Sequence, residues 1–98
     1  GPVLAVMDFD TEEEALELAN GTRFGLIAGL WTRDLAKAHR VARALRCGQV
    51  YVNTFGAGTG IELPFGGFKN SGIGREKGIA GYLEYSQIKN ICVKVGTE

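Results

Sequence analysis

Residues 63–78 of this chain read LPFGGFKNSGIGREKG. The glycines at positions 66, 67, 72, 74 and 78 are too dense for a packed helix or strand and too ordered in their spacing for a flexible linker. Glycines of this kind predict a backbone that either adopts positive φ or lies closely against another part of the chain. The segment therefore predicts an ordered loop, which we call the glycine-rich loop.

Size and composition restrict the possible functions. The chain has 98 residues and zero net charge, from 11 basic and 11 acidic side chains. This length allows one domain at most, and the balanced charge argues against nucleic-acid or anionic-membrane partners. An apolar run of about 20 residues, which a membrane-spanning helix needs, does not occur. Cys47 and Cys92 are interpreted as buried structural thiols in the reduced state, so a cytoplasmic or alternatively mitochondrial protein is expected. No metal-ligand spacing occurs in the sequence.

The first third of the sequence predicts a strand and a helix. Val3 to Met7 is an apolar run too short for a helix, which is typical of a doubly buried strand. Thr11 and Glu14 have the spacing of a capping box, so a helix should begin there. The pair Asn20-Gly21 should end that helix.

The next elements repeat this alternation. Residues 25–31, GLIAGLW, predict a second buried strand, and either Thr32 or Asp34 should cap a second helix that ends at Gly48. Gln49 to Asn53 predicts a third strand. Two successive strand–helix–strand units favour an α/β fold with a partial parallel sheet in three layers.

The rest of the chain is less regular. Thr54 to Gly74 shows no periodicity, and loops of that length inside compact domains are usually functional or disordered. A third helix is predicted from Arg75 to Tyr85, and a β-branched strand from Ile88 to Val95. The predicted order is therefore βαβαβ, a long loop, a helix and a C-terminal strand.

Five segments, in order, resemble motifs of the NAD(P)-dependent aldehyde dehydrogenase superfamily. They are GPV at 1–3, NGTRFGL at 20–26, GQVYVN at 48–53, the glycine-rich loop and EYSQIK at 84–89. Gly1-Pro2 is also the remnant that a cloning protease leaves. The resemblance implies that residues 1–86 are the C-terminal part of a catalytic domain and that residues 87–98 form an oligomerisation strand.

The resemblance also implies a reaction for the whole protein. Members of this family oxidise an aldehyde to a carboxylic acid with NAD or NADP, through a cysteine thiohemiacetal, hydride transfer and base-assisted thioester hydrolysis. The nucleophile, the general base and the cofactor-binding half of the family lie upstream of these motifs. This chain alone is therefore expected to be inactive and to bind neither NAD nor NADP. The expected partners are an aldehyde substrate, for the whole protein, and further copies of the chain, joined through Ile88–Val95.

Three residues are candidates for roles at the site. Phe65, between Pro64 and two glycines, is either a core aromatic or, as the resemblance implies, a wall of the substrate tunnel. Phe55 is a weaker substrate-binding candidate. Glu76 either stabilises the N-terminus of the third helix or, by resemblance, lies behind the active site and supports proton transfer by the general base.

Other polar residues have competing interpretations. Asn53 could contact substrate at the end of a strand or bond local backbone, and the second is favoured. Thr54 to Gly60 lacks the spacing of a dinucleotide fingerprint, which leaves a surface loop or, by resemblance, a wall of the aldehyde entrance. Lys69 and Ser71 could position the glycine-rich loop, although for Lys69 simple exposure is favoured. His39 is expected at the surface.

A second class of function also fits the length of the chain. A small non-catalytic α/β module could fold alone and self-associate through its last strand. Binding of NAD by the isolated chain would separate such a module from a segment of a dehydrogenase.

Overall fold

The computed structural model describes residues 1–56 and 60–96. These residues form a mixed α/β structure of helices and two small sheets, which confirms the predicted α/β content, while the three-layer parallel sheet stays a prediction. In chain order the elements are α1 Glu12–Asn20, β1 Phe24–Gly25, β2 Ile27–Leu30, α2 Leu35–Ala44, β3 Gln49–Val52, β4 Phe68–Lys69 and α3 Gly78–Glu84.

Helix α1 begins at a capping box, as predicted. The Glu14 amide donates to the Thr11 hydroxyl at 3.2 Å. The Glu14 carboxylate accepts in return from the Asp10 amide at 2.9 Å, one residue before the usual partner. The helix stops at Gly21, whose φ of −74° is not left-handed. Glycine suits this position because the backbone lies close to the preceding turn: a Cβ on Gly21 would lie 2.9 Å from the Glu17 carbonyl oxygen.

Helix α2 is capped by Asp34. Its carboxylate accepts from the Lys37 amide at 3.0 Å, while the Thr32 hydroxyl accepts from the Asp34 amide at 3.1 Å. The Lys37 N–H favours the ionised form, so the pKa of Asp34 lies below its ordinary value. The helix ends at Ala44, somewhat before the predicted stop at Gly48.

Of the two predicted crossovers, the second is present. Strands β2 and β3 pair in parallel, with Ile27 opposite Gln49 and Leu30 opposite Val52, and α2 connects them. The predicted first strand, Val3 to Met7, is wrong for this structure, because these residues have no strand partner and Val3 is 89% exposed. A strand needs a neighbour for its backbone groups, and no described segment lies beside this one.

The predicted long loop is partly structured. Strand β4 lies within it and pairs antiparallel with β1, with Phe24 opposite Lys69 and Gly25 opposite Phe68. The prediction of an entirely irregular segment from Thr54 to Gly74 is therefore wrong. A two-residue strand carries no detectable alternation, so periodicity could not reveal it.

Helix α3 begins later than predicted. It starts at Gly78, not at Arg75, because Lys77 has φ 62°, far from the helical value near −63°. Glu76 instead forms an antiparallel bridge with Phe65. The interpretation of Glu76 as a carboxylate in the first turn of this helix is therefore wrong.

The predicted last strand is not formed in this structure. Residues 87–95 have no regular secondary structure, and Ile88 and Val95 are almost fully exposed. Cys92 is exposed as well, which corrects the prediction of a buried thiol. Cys47 is half-buried, and its thiol donates to the Gln49 carbonyl oxygen at 3.1 Å.

The described residues contain very little core. Ala38 is their only buried hydrophobic side chain, at 7% exposure. The radius of gyration is 19.8 Å, against about 13 Å for a compact domain of similar length. Most apolar side chains of this chain thus lack the packing that a self-contained domain provides. In residues 1–56 and 60–96, no helix is long and apolar enough to cross a membrane.

Candidate functional site

The glycine-rich loop packs backbone against backbone, as its composition predicts. A Cβ on Gly48 would collide with the carbonyl oxygen of Gly66, and one on Gly66 would lie 2.6 Å from that of Gly74. Gly72 and Gly74 have positive φ, at 112° and 79°. Both predicted reasons for glycine, close approach and left-handed backbone, are therefore confirmed in this loop.

Two polar side chains fix the loop to the first half of the chain. The Lys69 ammonium donates to the carbonyl oxygens of Asn20 at 2.9 Å and Thr22 at 3.0 Å. The Ser71 hydroxyl accepts from the Gly25 amide at 3.0 Å. The positioning role suggested for these residues is therefore confirmed, and Lys69 is more than an exposed cation.

Arg75 holds the loop from inside, a role that the sequence did not reveal. Its guanidinium donates to the carbonyl oxygens of Gly67 at 3.1 Å and Gly74 at 2.6 Å, and stacks 5.5 Å from the Phe68 ring centroid. The Arg75 amide donates to the Glu84 carboxylate at 3.3 Å. An arginine amid glycines is the only sequence signal for this role, since its many donors suit bare carbonyl groups.

Phe65 and Glu76 are joined through their backbones. Each amide donates to the carbonyl oxygen of the other residue at 2.7 Å. Phe65 is half-buried, whereas the Glu76 side chain is exposed. The structure thus places two predicted site residues side by side, although they are eleven positions apart.

Phe65 and Phe55 line the same hollow, which we call the aromatic concavity. Its volume is about 640 Å³, which is within the usual range for small-molecule sites. Tyr51 contacts Phe55 edge-to-face, with ring centroids 6.1 Å apart. The described lining residues are Ile27, Gly48, Gln49, Val50, Tyr51, Phe55, Gly56, Gly60, Leu63, Pro64, Phe65 and Lys77. Residues 57–59, part of the predicted entrance wall, lie outside the described residues.

Glu76 lines a second hollow of about 630 Å³, which we call the charged concavity. Arg75, Lys77 and Glu84 also line it, so its wall carries both signs of charge. Phe65 and Lys77 border both concavities. These two side chains therefore form the boundary between the aromatic surface and the carboxylates.

Asn53 completes the end of the sheet. Its amide nitrogen donates to the Thr32 carbonyl oxygen and its amide oxygen accepts from the Thr32 amide, both at 2.8 Å. With φ at 57°, Asn53 also turns the chain away from β3. These contacts support the interpretation that Asn53 bonds backbone groups. Its partner is Thr32, which follows β2, and not the loop that follows Asn53.

The described residues do not fit a dinucleotide. Such cofactors place their pyrophosphate at a glycine-rich turn that leads from a strand into a helix. Here the next described element after β3 is strand β4, and the helix after β2 has the Asp34 carboxylate at its N-terminus, where it would repel phosphate. His39 is exposed, as predicted. Residues 1–56 and 60–96 contain no cluster of metal-ligating side chains.

Comparison with known proteins agrees with this architecture. The profile of the aldehyde dehydrogenase family matches residues 1–91. A 4-trimethylaminobutyraldehyde dehydrogenase A from Danio rerio is 52% identical over 96 residues, which are 98% of this chain but 19% of that protein. The chain thus spans about a fifth of the length of such relatives.

Solved structures give the same result. A putative aldehyde dehydrogenase from Burkholderia cenocepacia is 55% identical, with a TM-score of 0.88 over 98% of this chain and 20% of that one. An NAD+ complex of an aldehyde dehydrogenase from Bacillus cereus is 41% identical, with a TM-score of 0.89 over 98% of this chain and 19% of that one. This chain belongs to the aldehyde dehydrogenase family.

Proposed function

We propose that this chain is the C-terminal segment of an NAD(P)-dependent aldehyde dehydrogenase. The whole enzyme would oxidise an aldehyde to a carboxylic acid through a cysteine thioester, with the nucleophile, the base and the cofactor site outside this chain. Two findings support a segment of a longer protein: relatives are about five times longer, and the described residues bury a single hydrophobic side chain. Residues 1–86 would then belong to the catalytic domain and residues 87–98 to the oligomerisation strand.

The main support for a substrate-binding role of this chain is that Phe55 and Phe65 line the same concavity. Both line the aromatic concavity, which runs along β3 from Gln49 at its amino end to Phe55 beyond its carboxyl end. In α/β proteins ligands gather at the carboxyl ends of parallel strands. We assign the aromatic concavity to the substrate funnel, with Phe65 as its main wall and an aldehyde as the ligand.

Glu76 is proposed as a positioning residue for proton transfer. Its carboxylate is exposed on the charged concavity, while its backbone is locked to Phe65 by two hydrogen bonds of 2.7 Å. A carboxylate held in this way can support a general base that lies in the missing part of the enzyme. The funnel wall and the proton relay would thus share one rigid bridge.

The exposed apolar segments also fit a larger enzyme. In the whole protein we expect residues 3–7 and further strands to extend the β2–β3 pair into a three-layer parallel sheet. We expect residues 88–95 to pair with a strand of a neighbouring subunit. Each of these segments is apolar and exposed in this structure, and burial of such surface stabilises by about 25 cal/mol per Å².

The non-catalytic module remains the alternative function. Its supporting observation is the exposed apolar segment at 88–95, which could join two copies. The small buried core counts against it, because an independent domain of this size needs its own hydrophobic centre.

Substitution of Phe65 in the whole dehydrogenase tests the funnel. Phe65→Ala should change the ratio of kcat/KM values between a bulky and a small aldehyde by about tenfold or more, because pocket contacts discriminate on that scale. Phe24→Ala is the matched control, since Phe24 lies in β1 and not among the lining residues. A stability loss of ~3–5 kcal/mol with unchanged ratios would show that Phe65 is a core residue.

Glu76→Gln in the same enzyme tests the relay. Thioester hydrolysis should slow more than acylation, which pre-steady-state kinetics can separate. Glu84→Gln is the control, because Glu84 lines the same concavity but bonds the Arg75 amide. Unchanged rates for both half-reactions would remove Glu76 from the mechanism.

A further inference from the structure

Lys77 occupies an unusual position between the two concavities. It is one of three non-glycine residues with positive φ in the described chain, at 62°. Such a conformation is strained for a side chain with a Cβ and persists only where the surroundings impose it. Here they do: Glu76 is locked to Phe65 on one side, and the Gly78 amide donates to the Ile61 carbonyl oxygen at 2.9 Å on the other.

The result of this geometry is an ammonium group over an aromatic face. The Lys77 nitrogen lies 5.8 Å from the Phe65 ring centroid, within the range of a cation–π interaction. Phe65 and Lys77 both line the aromatic concavity. A cationic ligand seeking the same ring would compete with Lys77 for it.

Charge around the aromatic concavity is one-sided. Among its described lining residues, Lys77 is the only charged one, and carboxylates are absent from that set. Residues 57–59, which join two of the lining positions, are Ala, Gly and Thr and add no charge. The acids Glu76 and Glu84 line the charged concavity instead.

We infer that Lys77 is a specificity-determining residue that selects aldehydes by the charge at their far end. It favours a substrate that ends in a carboxylate and disfavours one that ends in a quaternary ammonium. This inference rests on the proposed role of the aromatic concavity as substrate funnel.

The test uses the whole dehydrogenase and three aldehydes of equal chain length, which end in a methyl, a carboxylate or a trimethylammonium group. Lys77→Met should lower kcat/KM for the carboxylate and raise it for the ammonium, each by roughly fivefold, as expected for one charge a few ångströms away. Lys77→Arg keeps the charge and should retain the original order. Lys37→Met is the matched control, because Lys37 lines neither concavity.

Ionic strength gives a second measurement that needs no variant. In the unmodified enzyme the preference for the carboxylate should weaken as salt rises, since added ions screen exposed charges. Equal losses for all three aldehydes in Lys77→Met, or a charge preference that neither salt nor this substitution changes, would overturn the inference. The Phe65→Ala variant tests the funnel separately. If the Lys77 inference is wrong but the funnel exists, Phe65→Ala should still alter size selectivity. If Phe65→Ala also leaves size selectivity unchanged, the proposed funnel fails as well.

Discussion

The middle of this molecule is held together by its own hydrogen bonds, whereas its two ends are not. The described residues from β1 to α3 form parallel and antiparallel strand pairs and the capped helix α2, and side chains such as Lys69 and Arg75 donate to bare carbonyl groups. Residues 3–7 and 88–95 are rich in aliphatic side chains, yet they stay extended and exposed. The difference shows that hydrogen bonds within the described chain shape the site, while the ends need apolar surfaces that these residues do not supply.

The largest expected effect is the inactivity of the isolated chain. It should show no turnover with NAD and a panel of aldehydes, because the described residues do not fit a dinucleotide and the family's nucleophile lies outside the matched motifs. Absorbance of reduced cofactor is a sufficient measurement. Turnover that disappears in Cys47→Ala or Cys92→Ala would mean that one of these thiols is the nucleophile.

A methyl group at Gly48 should disrupt the middle region. In Gly48→Ala the new Cβ collides with the Gly66 carbonyl, and neither backbone can move without breaking the loop. We expect a loss of about 3 kcal/mol or more in the whole enzyme, measured by chemical denaturation. Gly72→Ala is the control, because its new Cβ would have no atom within 4 Å and the only cost is the backbone strain of a positive φ. Unchanged stability in Gly48→Ala would mean that the close approach contributes nothing.

Association through the C-terminal end should be intermediate in size. The isolated chain should dimerise or aggregate at tens of micromolar, because the segment around Ile91 offers unpaired backbone and apolar side chains. Ile91→Lys should reduce this, as measured by sedimentation velocity. Ile73→Lys places the same change at a fully exposed position of the glycine-rich loop and should not. A monomer in all three chains would contradict the assignment of residues 88–95.

The smallest effect concerns the ion pair between α1 and α2. The Arg40 guanidinium donates to both carboxylate oxygens of Glu12, at 2.7 and 2.8 Å. This bond holds the pKa of Glu12 below its ordinary value of 4.5. The pair therefore stabilises above that value and loses its effect as pH falls through the folded-state pKa. Glu12→Gln should lower Tm slightly near neutral pH, and the difference should vanish in acid. A difference that persists in acid would point to packing instead of charge.

The sequence by itself determined the local features. The order of strand, helix and strand predicted the parallel β2–β3 pair, and five motifs predicted the family. Residue patterns also predicted the cap at Thr11, a second cap at either Thr32 or Asp34, and the strain and close packing of the glycine-rich loop. These features depend on neighbours a few positions apart or on glycine's lack of a side chain, so their physical cause is written in the chain. The predicted convergence of Phe55 and Phe65 on one ligand is still untested, although both line one concavity.

Tertiary structure decided the rest. Strand β4, the bridge between Phe65 and Glu76, the late start of α3 and the position of Lys77 over an aromatic ring depend on contacts between residues distant in sequence. The strands expected at 3–7 and 88–95 failed for the converse reason. Their composition favours extended structure, but a strand exists only when a second strand accepts its hydrogen bonds, and that partner is not supplied by the described chain.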